Sequence, residues 1–88
     1  MEVTSFPLPI LISLRKRERD SKEFPIFLFV THNVGDLEEI ARRIFDIPRI
    51  YPVFLNYQIL ARKTPINMCF KDCETIMVSV GKSFRNTL

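Results

Sequence analysis

The chain has 88 residues, 47% of them apolar and 26% charged, with a formal net charge of +3. That length gives one small domain, since a second core would have too little chain to bury itself, and the balance is globular rather than disordered. No apolar run approaches membrane-spanning length, because Pro7, Pro9 and Pro25 interrupt the longest, and the start carries Glu2 where a signal peptide would be basic, so the expectation is a cytosolic or nuclear protein.

Residues 1–8 read as a lead-in, residues 9–80 as the domain and residues 81–88 as a polar tail. Residues 9–14 read as a strand with Ile10, Ile12 and Leu14 on one face and Leu11 and Ser13 on the other. Residues 15–23 contain no apolar side chain and read as a charged, solvated hairpin loop. Residues 24–30 read as a second strand, with Ile26, Leu28 and Val30 inward, Phe27 and Phe29 outward, and Pro25 marking an edge because it lacks a donor.

Residues 36–45 carry the one convincing helix signal. Leu37, Ile40, Ala41, Ile44 and Phe45 fall on a single stripe, and the other positions are charged. Asp36 with Glu39 reads as a capping box behind a flexible Gly35, Glu38 with Arg42 and Glu39 with Arg43 as acid-before-base pairs, and Pro48 as the reason the helix stops near Asp46. Residues 53–56 read as a short strand and 57–60 as its continuation or a further short strand. Residues 66–72 read as an irregular turn that can hold a 3₁₀ helix. Residues 74–80 form the best strand, with Ile76, Val78 and Val80 alternating against Met77 and Ser79; it belongs at the sheet's centre, beside the first strand. One amphipathic helix cannot bury its stripe alone, so the fold class is α+β, with the helix packed on one face of a mixed sheet of four to five strands.

The order and residues together resemble the ubiquitin-like β-grasp family. The similarity is carried without a gap by Thr64-Pro65-Ile66-Asn67-Met68-Cys69-Phe70-Lys71-Asp72-Cys73-Glu74-Thr75-Ile76-Met77-Val78-Ser79-Val80, and supported by Tyr57-Gln58-Ile59-Leu60, by Leu37, Ile40 and Ile44, and by Ile26, Leu28 and Val30. Conjugated members of that family end in two glycines. Here residues 81–88 hold no Gly-Gly, so the resemblance implies an unconjugated docking module that works inside a larger assembly.

With that family's strand order, the sheet face away from the helix carries Leu11, Phe27, Phe29, Phe54 and Met77. So apolar a face implies a protein-binding surface held by a stable partner, making the chain an adaptor or structural subunit. The alternative is that residues 3–8 or Phe84 fold over the face as a second small core. A second functional reading is an RNA-associated module of a ribonucleoprotein, with Arg15, Lys16, Arg17, Arg19, Lys82 and Arg85 meeting phosphates, although Glu18, Asp20 and Glu23 interrupt that basic run. A third is a divergent modifier.

An enzyme is not expected. His32, the one histidine, reads as an exposed connector, and Cys69 and Cys73 as buried or half-buried thiols rather than nucleophiles or, with a single histidine, metal ligands. Tyr51 and Tyr57 read as residues at the edge of the core. Two glycines cannot build a phosphate loop, and no catalytic residue, cofactor, metal, membrane or small-molecule substrate is expected.

Overall fold

A computed structural model describes residues 9–17, 22–29 and 31–82. Its elements in chain order are β1 (Ile10–Lys16), β2 (Phe24–Leu28), α1 (Val34–Phe45), β3 (Val53–Leu55), a 3₁₀ turn (Ile66–Met68) and β4 (Glu74–Val80). The four strands form one mixed sheet in the order β2-β1-β4-β3. β1 pairs antiparallel with β2 and parallel with β4, while β3 runs antiparallel to β4. The two long apolar strands are therefore the central pair, and β2 with its Pro25 is an edge, as the sequence pattern requires.

Period-two alternation decides what each strand buries. Ile12 and Leu14 of β1, Leu28 of β2, Val53 and Leu55 of β3 and Ile76 and Val78 of β4 are buried against Val34, Leu37 and Ala41 of α1. Ile66 and Phe70 close one end of this core and Ile47 packs where the chain leaves the helix. Full burial of each such side chain contributes about 1.5–3 kcal/mol, so the helix stripe and inward strand rows are what hold the domain together.

The helix begins earlier than residues 36–45 suggest. Its N-cap is Asn33, whose Oδ1 accepts from the Asp36 backbone N–H at 3.0 Å while Asp36 Oδ2 accepts from the Asn33 N–H at 2.9 Å. The capping box is thus Asn33/Asp36, three residues ahead of the expected Asp36/Glu39. The earlier start is possible because a distant loop satisfies the first-turn donors: Val34 N–H bonds Thr64 O at 2.9 Å and Gly35 N–H bonds Arg62 O at 2.8 Å. At the other end Asp46 turns left-handed (φ 54°) and the Ile47 N–H returns to Arg42 O, which ends the helix before Pro48.

Three further expectations are corrected. Arg15 and Lys16 belong to β1, paired with Met77 and Val78, because β4 is long enough to extend the parallel ladder past the apolar part of β1. Residues 57–60 are not a strand: Asn56 (φ 53°) and Tyr57 (φ 66°) are both left-handed, and Leu55 and Gln58 exchange both backbone hydrogen bonds at 2.9 and 3.1 Å, the geometry of a two-residue type I′ hairpin turn. The intrahelical ion pairs do not form either. Glu38 pairs with Arg62 at 2.6 Å, Glu39 makes a bidentate pair with Arg49, and Arg42 donates to the carbonyls of Pro48 and Tyr51 at 2.9 Å each. Val30 lies outside the described residues.

Candidate protein-binding face

The face of the sheet away from α1 is built by the outward residues of all four strands. Registers place them in rows: Leu11 opposite Phe27, Ser13 between Pro25 and Thr75, Arg15 opposite Met77, and Ser79 opposite Phe54. Register places Leu11, Phe27, Phe54 and Met77 on this face, with Phe29 just past the end of β2, and the five do not form one patch. Three strand spacings of about 4.8 Å and a stagger of several residues set Phe27 and Phe54 on the order of 20–25 Å apart, with Ser13, Thr75 and Arg15 between them.

The two groups differ in what covers them. On the β1/β2 side Phe27 is 64% exposed and Phe29 44% exposed, with Leu11 half-buried beside Phe27. On the β3/β4 side the chain covers its own residues. A Cβ on Gly81 would lie 2.6 Å from Phe54 Cε2 and 2.8 Å from Pro52 Cγ, so the backbone just past β4 is pressed against the Phe54 ring, fixed there by Gly81 N–H bonding Pro52 O at 2.9 Å. Met77 is half-buried: the Tyr57 hydroxyl donates to its Sδ at 3.0 Å, and Asn56 Oδ1 accepts its backbone N–H at 2.9 Å.

Phe29 is held rather than loose. Its N–H donates to His32 Nδ1 at 2.9 Å, the His32 N–H donates to Phe29 O at 2.8 Å, and the two rings stack with centroids 6.1 Å apart. His32 is therefore not an exposed connector but a half-buried acceptor that fixes the chain after β2. An Nδ1 that accepts leaves the proton of the neutral ring on Nε2.

The basic residues are dispersed. Arg15 stands on the open face. Lys16 points to the other face, where its Nζ lies 5.7 Å from the Phe45 ring centroid, and the Arg17 guanidinium lies 5.7 Å from that of Tyr57. Lys82 is exposed beyond β4, and Arg19 and Arg85 lie outside the described residues. Arg15 Nε is sealed from solvent with no hydrogen-bond partner, the one such buried side-chain nitrogen or oxygen among the described residues. Leaving a donor in that condition costs on the order of 1–3 kcal/mol, which asks for a reason.

Sequence reasoning missed other surface features. Tyr57 is 59% exposed rather than at the core's edge, because the left-handed turn throws it outward. Ile59 and Met68 are exposed as well, and Cys73 is exposed in a left-handed turn while Cys69 is half-buried. The β-branched and aromatic content of 57–60 concealed the turn; Asn56, a residue that tolerates left-handed geometry, was the available clue. Residues 3–8 and Phe84, the alternative cover for the face, lie outside the described residues. No helix among the described residues is long and apolar enough to cross a membrane.

Comparison with known protein families finds no match, and neither does comparison with curated protein sequences. Solved structures do match. The ubiquitin-like domain of Plasmodium falciparum Dsk2 superposes with a TM-score of 0.65 at 22% identity, covering 84% of this chain and all of that one. The C-terminal ubiquitin-like domain of human 2'-5'-oligoadenylate synthetase-like protein gives 0.68 at 12% identity over 98% of this chain and 99% of that one. A designed protein based on ubiquitin gives 0.66 at 15% identity over 93% and 100%. At these identities the likeness is one of architecture: the chain has the ubiquitin-like β-grasp fold, in a divergent form.

Proposed function

We propose that this domain is an unconjugated ubiquitin-like protein-binding module, an adaptor or structural subunit that docks a protein partner on the helix-free face of its sheet. The observation that carries this reading is Phe27, 64% exposed beside Leu11 and followed by Phe29, on a strand whose other face sends Leu28 into the core. Clustered exposed aromatics are the side chains that anchor interfaces. The stretch directly after β4, Gly81-Lys82-Ser83-Phe84-Arg85, carries bulky side chains and no glycine pair, which favours docking over attachment.

The test is affinity capture of the tagged chain from native extract at moderate salt, beside a Phe27→Ser, Phe29→Ser double variant. A protein partner retained by the parent and lost from the variant, with the variant's amide NMR spectrum still dispersed, is the expected result. Capture that is unchanged in the variant, or replaced by covalent attachment through the C-terminus, would overturn it.

A further inference from the structure

Resting on that reading of the open face, the geometry points to a particular chemistry in the partner: a segment that sets a carboxylate against Arg15 and apolar side chains over Leu11 and Phe27. Arg15 is half-buried on the outward row of the central strand β1, with its Nε shut away from water and unbonded. The charged outward side chain that β1 adds to this face is the cationic Arg15, which forms no ion pair among the described residues.

The nearby carboxylates among the described residues do not answer Arg15. Asp72 accepts the Leu11 N–H at 2.8 Å, and Glu74 accepts the Lys71 N–H at 2.8 Å and Asn56 Nδ2 at 3.4 Å. Glu38 and Glu39 are spent on Arg62 and Arg49 behind the sheet. Glu23, which precedes β2 at the end nearest Arg15, makes no ion pair with it. A planar guanidinium whose Nε is shut from water without a partner, and which no carboxylate among the described residues pairs, is suited to a carboxylate brought by a partner. A polyanion such as RNA fits less well, because Leu11, Phe27 and Phe29 offer no charge to phosphates.

Strand geometry also sets the spacing. Leu11 and Arg15 are on one row, about 13 Å apart at 3.3 Å per residue. An extended partner segment would place its carboxylate about four residues from the side chain covering Leu11, and a helical one about nine residues away at 1.5 Å per residue.

The test is selection of peptides from a random 16-residue display library on the 88-residue chain. Enriched peptides are synthesised and their affinities measured against the parent, Arg15→Gln, Arg15→Glu and Phe27→Ser chains, each checked for a dispersed amide NMR spectrum. The expected result is enrichment of Asp or Glu among apolar residues, a loss of about tenfold or more for Arg15→Gln, loss of binding for Phe27→Ser, and recovery when Arg15→Glu meets a peptide with its acid changed to Lys. Peptides without an acid, or affinities indifferent to Arg15→Gln while Phe27→Ser abolishes binding, overturn the acidic partner and leave the docking face standing. Indifference to both substitutions overturns the face as well. Self-association in light scattering that Phe27→Ser removes would assign the face to a second copy, and displacement of the peptides by an RNA oligonucleotide would assign it to RNA; either result overturns this inference.

Discussion

The two sides of the open face, β1/β2 and β3/β4, begin from the same pattern of outward apolar residues and end in different states. Around β3 and β4 the chain bends back on itself: Gly81 lies against Phe54 and Tyr57 caps Met77. Around β1 and β2 nothing among the described residues covers Phe27, and an arginine between the two sides is left without a partner. The difference teaches that an outward apolar side chain is a docking candidate only after the connections that flank its strand have been placed. It also separates residues that hold the domain from residues that await something else.

The sharpest way to break that distinction is to truncate a residue on the inner row of the same strand. Leu14→Ala, at a position with no solvent exposure, should cost about 3 kcal/mol in urea unfolding. A cost below about 1 kcal/mol would mean the core is not where the alternation puts it. Arg62→Ala is the next largest test. Glu38 is only 7% exposed and would lose its ion pair, so about 2 kcal/mol of destabilisation is expected, with Glu38→Gln in the same background recovering part of it. Asn33→Ala removes one member of the capping box and should cost about 1 kcal/mol, without loss of helical circular dichroism, because Thr64 O and Arg62 O still serve the first turn.

A smaller effect depends on pH. The hydrogen bond from Arg49 holds the Glu39 carboxyl below the ordinary glutamate range. A group whose folded value is depressed contributes stability that is present above its unfolded value and fades as pH falls through the folded one. Arg49→Gln should therefore remove that contribution at neutral pH and leave parent and variant alike below the folded value, so that stability varies less with pH across the glutamate range. The smallest effect belongs to the docking side: Phe27→Ser should stay within about 0.5 kcal/mol of the parent, since an exposed ring removed from the surface leaves no cavity. A cost of several kcal/mol there would erase the comparison, because it would make Phe27 part of a core.

Much of the fold was legible because it is local and periodic. Leu37 and Ala41 mark the helix stripe, Ile12 with Leu14 and Ile76 with Val78 mark strands buried on one side, and Pro25 marks an edge. What escaped depends on partners far along the chain. No pattern within residues 33–45 reveals that Thr64 O and Arg62 O wait for the helix's first donors, and so the local pattern puts the cap three residues late. The acid-before-base spacing of Glu38 and Glu39 was genuine but was outbid by Arg62 and Arg49, which approach from the loops. The candidate site was half legible for the same reason. Alternation assigned Leu11, Phe27, Phe29, Phe54 and Met77 to one face, yet their division into two groups is set by strand register and by where Gly81 comes to rest.

The hairpin turn at Asn56 and Tyr57 has a consequence for how copies of this domain can meet. By folding Gln58 back onto Leu55 it occupies the outward-facing amide and carbonyl of Leu55, so a strand from another copy finds neither group free at that end of β3.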